Sequence, residues 1–224
     1  MPIKDDREYR NFQAFNIETR ASEDGGDYAA QFVEGYASTF EEYTLWEYQG
    51  ANYREVYKEK ISPDAFQDAD LSDVVFLRDH TGQVLARTKN GLVKLSVDDT
   101  GLFTSTDLSK TEAARAMFED IRIENYTQMS FAFRVAADEW TEERTDGVVT
   151  FHRNITKIAK VYDISAVSFP ANPTTDISPA TRAAFDGAIE RLRAERLEAE
   201  ARQQEQARKI AEIKIKLMEA AKHD

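Results

Sequence analysis

The segment from Tyr126 to Val135 places the strongest constraint on the fold of this 224-residue chain, because its apolar residues alternate with small or polar ones. Successive side chains of a β-strand point to opposite faces, so the alternation predicts a strand with one face in the core. Ser130 then lies on the other face, where its neighbour two residues along is only Ala132. The space beside the hydroxyl is predicted to be open, as a nucleophile requires, although many serines in ordinary sheets have the same surroundings.

Other segments rich in aromatic and β-branched residues also predict strands. Because these segments are short and helices are few, the sequence favours a mainly β fold with attached helices (α+β), built as an antiparallel β-barrel or sandwich. A turn signal at Asp98–Gly101 predicts a hairpin between two of the strands. The predicted strands cover residues 32–40, 53–57, 74–77, 92–97, 102–106, 148–156 and 161–169.

Two helices are predicted between these strands. Ser62 is expected to cap a short helix that has Pro63 in its first turn. The stretch Ser109–Glu112 matches a capping box, which predicts that a longer helix begins at Ser109. The apolar residues of that helix fall on one face at helical spacing; they are Ala113, Ala114, Met117, Phe118 and Ile121.

The chain is predicted to divide into three parts. Residues 1–27 form a polar N-terminal segment, and residues 28–177 form the folded domain, which Pro170–Pro173 is expected to close. Residues 178–224 are predicted to form a charged helical tail, either a solvated helix or a modest coiled coil, the alternative being a dedicated partner-recognition helix.

The distribution of charge limits the partners of the protein. The net charge is −12, and residues 1–185 carry all of it, because residues 186–224 have nine acidic and nine basic side chains. Binding to phosphate backbones depends on clustered Lys and Arg, so nucleic acid is not expected as the main partner. No segment has the apolar length of a signal peptide or a membrane span, and the protein is expected to be soluble and intracellular.

The residue types also limit the chemistry. The chain has no cysteine, which excludes disulfides, thiol nucleophiles and cysteine-ligated metals. Its three histidines, His80, His152 and His223, are far apart in sequence and have no metal-ligand spacing. We therefore expect no metal, and acyl transfer by a serine such as Ser130 would need no other cofactor.

His80 and Asp163 are the candidates to act with Ser130. His80 stands where a predicted strand runs into a turn; such a histidine is often only a polar loop residue, but an imidazole can also act as a general base. Asp163 lies within an otherwise apolar predicted strand, where a carboxylate needs a partner, either a lysine or an imidazole. Together the three supply the nucleophile, base and orienting acid of an acyl-transfer triad, although their spacing does not show that they meet.

Five short motifs, in this order, resemble the prohead serine protease family of tailed bacteriophages, which is related in fold to the herpesvirus assemblins. The resemblance covers about residues 30 to 177. Each motif is short, but five in register are specific. They are Glu34–Phe40, Glu59–Phe66, Asp79–His80 with Gln83–Thr88, Met129–Phe133 and Asp163–Pro173.

The resemblance implies a role for each candidate residue and a barrel of the herpesvirus-protease type. The family has its catalytic histidine at the position of His80 and its catalytic serine at the position of Ser130. An acidic residue, usually glutamate, stands at the position of Asp163. In the assemblins a second histidine takes this third role, which leaves His152 as the alternative to Asp163.

Some residues depart from the family pattern. Thr81 stands where an aspartate is typical, and Ala86 and Ala132 each replace a common glycine. The side chain of Asp163 is also one methylene shorter than that of glutamate. Arg153, beside the alternative His152, is interpreted as a surface ion-pair residue, the other option being a place near the oxyanion.

The function implied by the resemblance is that of a serine endopeptidase that matures the capsid. Such an enzyme would be packaged in the assembling prohead in the host cytoplasm. There it would remove scaffolding segments of the major capsid protein and cut itself, and self-association into a homo-oligomer stays open. The alternative is a non-enzymatic capsid scaffold or assembly protein that retains the protease fold.

Overall fold

Within the described residues the fold is mainly β with two α-helices, and the predicted mainly β class with attached helices is confirmed. The computed structural model describes residues 6–12, 17–21, 30–51, 53–168 and 179–220. The strands are β1 (Glu8–Phe12), β2 (Glu18–Ala21), β3 (Gln31–Thr39), β4 (Tyr43–Gln49), β5 (Arg54–Ile61), β6 (Val75–Arg78), β7 (Thr81–Arg87), β8 (Val93–Val97), β9 (Gly101–Asp107), β10 (Gln128–Thr145) and β11 (Val148–Val167). The helices are α1 (Glu112–Arg122) and α2 (Pro179–Ala220), and 3₁₀ turns cover Pro63–Phe66 and Thr88–Asn90.

A long antiparallel hairpin of β10 and β11 forms the centre of the larger sheet. Its strands have 18 and 20 residues. Asp146 and Gly147 connect them with positive φ angles of 51° and 81°, which fits a two-residue type I′ turn. The sequence pattern predicts that the first strand ends at Val135 and that the second is interrupted after residue 156. In the structure both strands continue, because four shifts of register between Ala132 and Asp138 absorb extra residues in the two strands.

The larger sheet has seven strands and contains parallel as well as antiparallel pairs. Its order is β1-β10-β11-β5-β4, and β6 pairs with both β11 and β7. The two parallel pairs, β11 with β5 and β11 with β6, differ from the purely antiparallel prediction. Periodicity shows which residues are extended but not which distant strands pair.

The smaller sheet has the antiparallel order β2-β3-β9-β8 and contains the predicted hairpin of β8 and β9. Within the described ranges neither sheet closes on itself, so the predicted barrel is not confirmed. One apolar cluster joins this sheet to the larger sheet and to α1. It includes Val33 and Leu102 of the smaller sheet, Phe131 of β10, and Met117 and Phe118 of α1.

Helix α1 confirms the predicted apolar face but begins later than expected. Its N-cap is Thr111, whose side chain accepts a hydrogen bond from the backbone N–H of Ala114. The predicted cap, Ser109, lies before the helix, and its backbone N–H donates to Asp107. The short predicted helix is the 3₁₀ turn Pro63–Phe66, where the hydroxyl of Ser62 donates to Asn154 instead of capping the turn.

The predicted C-terminal helix is present as α2, a continuous helix of 42 residues. Residues 1–182 and residues 183–224 form two compact units. The predicted domain boundaries and the coiled coil stay predictions, and the proposed closure at Pro170–Pro173 lies outside the described residues. Neither described helix is both long enough and apolar enough to cross a bilayer.

The N-terminal segment contains two strands that the sequence analysis did not predict. Strand β1 pairs with β10, and β2 pairs with β3. The sequence pattern does not reveal β1, because charged residues take its buried positions. Glu8 and Arg10, on either side of Tyr9, are each only 4% exposed.

The reason for this burial is a cluster of charges, which we call the buried charge cluster and define as Glu8, Arg10, Glu59, Arg153 and Asp138. Arg10 makes two hydrogen bonds to Glu59, of 2.5 and 2.7 Å, and one of 2.7 Å to Glu8. Arg153 donates to Glu8 at 2.6 Å, to Glu59 at 3.0 Å and to Asp138 at 2.7 Å. Arg153 is 2% exposed, so its interpretation as a surface ion-pair residue is wrong.

The arginines control the ionisation of Glu8. Burial by itself would raise the pKa of Glu8, but the guanidinium groups of Arg10 and Arg153 outweigh burial and lower the pKa to about 2. Glu8 is therefore ionised at neutral pH, and the cluster keeps its charges paired.

Replacing Glu59 tests how much the fold depends on the cluster. Glu59→Gln keeps the shape of the side chain but removes the charge shared by Arg10 and Arg153. Breaking a buried ion pair from one side costs about 3–5 kcal/mol, so the free energy of unfolding should fall by about this amount. Urea unfolding can be followed by the fluorescence of Trp46 and Trp140, which both lie in the larger sheet.

The matched control is Glu47→Gln, which removes a carboxylate from the exposed ion pair of Glu47 with Arg54. Exposed pairs contribute little, so the stability of this variant should stay close to that of the wild type. An equal loss of stability in both variants would contradict the role of the cluster.

The lowered pKa of Glu8 predicts a pH dependence. Because this pKa is about 2 in the folded chain and 4.5 ordinarily, ionised Glu8 stabilises the fold above about pH 4.5, and the contribution is lost as the pH falls towards 2. The full contribution is about 3 kcal/mol. Urea unfolding at a series of pH values should show that Glu8→Gln destabilises the protein most near pH 6 and progressively less in acid. A difference between the two proteins that did not change with pH would contradict this assignment.

Candidate active site

His80 lies between Ser130 and Asp163, and it approaches each with a different ring nitrogen. Its Nε2 is 2.5 Å from Oγ of Ser130, and its Nδ1 is 2.5 Å from Oδ1 of Asp163. A neutral imidazole that donates its Nδ1–H to Asp163 presents Nε2 to the serine as an acceptor. The structure therefore brings the three predicted residues together in one hydrogen-bonded chain.

The register of β10 and β11 places the serine and the aspartate on one face of the sheet. Ser130 is directly opposite Ser165, and Ala132 is directly opposite Asp163. Residues two apart on a strand share a face, so these four residues lie side by side. The register shifts immediately beyond this group, where Tyr162 is the extra residue of a bulge, a feature often found beside active sites.

A tight turn between β6 and β7 supplies His80. Strand β6 lies parallel to the end of β11, and the backbone N–H of Asp79 donates to the carbonyl of Ala166 at 3.0 Å. Asp79 and His80 have positive φ angles of 46° and 57°, the signature of a type I′ turn. This conformation is unfavourable for residues other than glycine, and such strain is typical of functional sites.

Ser165 also belongs to the site, although it was not among the residues predicted from the sequence. Its Oγ accepts a hydrogen bond of 3.1 Å from the backbone N–H of His80 and lies 2.9 Å from Oδ1 of Asp163, to which it can donate. It thus links the turn to the carboxylate. The signal in the sequence was its position two residues after Asp163, which places both side chains on the same face of a strand.

Ser130 is buried, contrary to the prediction of an open space beside its hydroxyl. The side chain is fully covered, with an exposed fraction of 0%. Strand β1 runs antiparallel to β10 beside it, and Oγ of Ser130 lies 3.0 Å from the backbone carbonyl oxygen of Arg10. The ring of Tyr9 packs edge-on against the imidazole of His80, with 4.8 Å between ring centroids. The strand that was not predicted is therefore the one that covers the site.

The other residues singled out in the sequence take no part in the hydrogen-bonded chain of Ser130, His80 and Asp163. His152 interacts with Glu42, at 2.7 Å, rather than with His80. Arg153 belongs to the buried charge cluster. Thr81 is exposed at the start of β7, and Ala132 is fully buried beside the serine, where a larger side chain would have less room.

The arrangement provides the parts needed for acyl transfer, namely a hydroxyl, a base bonded to it and an acid bonded to the base. In the described part of the chain, no group of three or more His, Asp or Glu side chains is placed to hold a metal ion.

Comparison with known proteins agrees with the predicted resemblance. A family model described as caudovirus prohead serine protease matches residues 15–187. The match includes Ser130, His80, Asp163 and Ser165 and begins after β1. No curated protein and no solved structure matches the chain.

Proposed function

The chain belongs to the caudovirus prohead serine protease family, and we propose that it is an active serine endopeptidase whose triad is Ser130, His80 and Asp163. The observation that supports this most strongly is the chain of two 2.5 Å hydrogen bonds that joins serine to histidine and histidine to aspartate. Each side chain comes from a different strand or turn, so the contact depends on the pairing of β11 with β10 and with β6.

In the proposed mechanism Ser130 attacks the carbonyl carbon of a peptide bond while His80 takes the hydroxyl proton at Nε2. The tetrahedral intermediate collapses, the C–N bond breaks, and His80 returns the proton to the leaving amine. Water then attacks the resulting ester, again with His80 as base, and releases the new carboxyl terminus and free Ser130. Backbone N–H groups near Ser130 would stabilise the oxyanion.

Asp163 would hold the imidazole in the required tautomer. By accepting the Nδ1–H bond, its carboxylate leaves Nε2 free to act as base and stabilises the imidazolium formed during attack. Ser165 would position both groups, because its hydroxyl contacts the carboxylate and the backbone of His80.

The substrates we propose are the scaffolding segment of the major capsid protein and the protease itself. The site of action is the interior of the assembling prohead in the host cytoplasm. The helical tail, residues 178–224, would either dock on the scaffold or be trimmed by self-cleavage.

A non-enzymatic assembly protein is the second candidate. The burial of Ser130 beneath β1 favours it, because this form of the site admits no substrate. Turnover distinguishes the two candidates.

Replacing the nucleophile provides the first test of function. Ser130→Ala should reduce cleavage of the co-expressed capsid protein by at least about 10⁴-fold, because the residual activity of a triad without its serine comes from binding and oxyanion stabilisation alone. Intact mass over time measures cleavage of both chains. Ser38→Ala is the matched control, because Ser38 is equally buried but lies in the smaller sheet. If wild-type protein and Ser130→Ala left the capsid protein equally intact inside assembled shells, the assembly protein would be the better description.

A second pair of variants decides the third member of the triad. Asp163→Asn should reduce kcat by about 10²- to 10⁴-fold, because the amide favours the wrong tautomer of His80. His152→Ala removes the alternative histidine and should leave kcat within about twofold of wild type. Steady-state kinetics on a capsid-derived peptide measures both, and the reverse ranking would transfer the role to His152.

A further inference from the structure

The most informative contact outside the triad is the one that β1 makes with the strand of the nucleophile. Strand β1 pairs along β10 from Glu8 opposite Phe133 to Phe12 opposite Met129. Its Arg10 carbonyl oxygen lies 3.0 Å from Oγ of Ser130. A peptide carbonyl beside the nucleophile is the position that a substrate would take.

Strand β1 also lies outside the part of the chain that matches the family model, because that match begins at residue 15. Without β1, the edge of β10 next to Ser130 would present unpaired backbone N–H and C=O groups. Such an edge binds an extended peptide as an added strand.

We propose that the edge of β10 covered by β1 is the substrate-binding groove, and that β1 occupies it as an intramolecular inhibitor. This inference rests on the proposed peptidase function and assigns a substrate class to it. The substrate is an extended peptide that pairs antiparallel to β10 and carries a basic residue in the position of Arg10. The scissile bond follows that basic residue.

The surroundings of Arg10 define the pocket for the basic side chain. Its guanidinium makes two hydrogen bonds to Glu59 and one, of 3.2 Å, to the hydroxyl of Thr181. Tyr43 also donates a hydrogen bond to Glu59. Glu59 is fully buried, so the pocket ends in a carboxylate that favours a cation.

The charged residues that would remain in the groove without β1 also favour such a peptide. When β1 departs, Glu59, Asp138 and Arg153 stay, and their net charge is −1. A basic side chain neutralises this charge. An acidic residue two positions earlier would bind Arg153 as Glu8 does, at 2.6 and 2.9 Å.

Strand β1 also interferes with the triad while it is bound. The hydroxyl of Ser130 has one hydrogen and faces two acceptors, His80 Nε2 and the Arg10 carbonyl. A hydrogen donated to the carbonyl is not donated to the base. Tyr9 covers the imidazole in addition, so the bound strand both fills the groove and diverts the nucleophile.

In a productive complex the peptide carbonyl carbon, rather than its oxygen, faces Oγ. Ser130 then bonds to that carbon, the amide bond to the next residue breaks, and the hydroxyl proton passes through His80 to the leaving amine. Water hydrolyses the ester, as in the proposed mechanism, and no other reactant is needed.

A disulfide tether tests whether β1 must leave. Positions 12 and 129 are direct partners in register, and the chain has no cysteine of its own. The full-length variant Phe12→Cys/Met129→Cys should cleave an added peptide at least tenfold more slowly when oxidised than when reduced. The peptide has the sequence of residues 6–12, lengthened at both ends. The control tether, Glu18→Cys/Glu34→Cys, joins β2 to β3 and should show less than a twofold difference between its two states.

Peptide binding tests the groove without requiring catalysis. In full-length Ser130→Ala protein, the further change Arg10→Ala should loosen β1 and tighten binding of a fluorescent 6–12 peptide at least fivefold. Arg20→Ala, which removes an exposed arginine of β2, should leave the affinity unchanged. A peptide with glutamate in the Arg10 position should bind at least tenfold more weakly than the original.

The two assays separate the failure of this inference from the failure of the proposed function. Equal cleavage by the oxidised and reduced tethers would overturn the groove and leave the peptidase in place. If the peptide affinities ranked as expected but no protein that retains Ser130 cleaved a peptide, the groove would be supported and the peptidase function overturned. A peptide that bound all forms equally, whatever its residue in the Arg10 position, would overturn the groove.

Discussion

The register between β10 and β11 is the constraint on which the candidate site depends. It sets Ser130 opposite Ser165 and Ala132 opposite Asp163, which puts the hydroxyl and the carboxylate on the same face. The same two strands provide the edges that receive β1 and β6, and β6 leads into the turn that carries His80. A slip of one residue would turn the Ser130 side chain towards the apolar core, so the apolar alternation of β10 protects the geometry of the site as well as the stability of the fold.

The parts of this arrangement that the sequence predicted are those with local patterns. The alternating residues around Ser130, the helical spacing in α1 and the turn before β9 each depend on neighbours in the chain, and family motifs indicated His80 and Asp163. The partners of Arg153 come from distant strands, and no local pattern specifies them. Strand β1 was not predicted for the same reason. Its charged side chains can be buried only because Glu59 and Arg153, from distant strands, form ion pairs with them.

Buried charges of this kind stabilise the position of a strand only at a large cost in desolvation free energy. Removing ions from water costs several kcal/mol for each ion, and apolar residues of similar volume often stabilise a fold as well or better. A charged strand nevertheless has one property that an apolar strand lacks: its own charged side chains are favourably hydrated once it has left the sheet. Glu8 and Arg10 regain hydration when they depart, and Arg153 keeps Glu59 and Asp138 as partners. The chemistry of β1 therefore suits a strand that exchanges with a ligand better than one that only stabilises the core.

Such an exchange would depend on concentration. A tethered strand competes with free peptides at an effective concentration of the order of millimolar, so dilute peptides would seldom displace β1. Capsid chains enclosed in a shell would be concentrated enough to compete with it, and cleavage within the segment before residue 15 would remove the competitor permanently. The proposed inhibition and the proposed compartment thus both depend on the local concentration of substrate chains. The protease would be restrained while it is dispersed and would act where its substrates are packed around it.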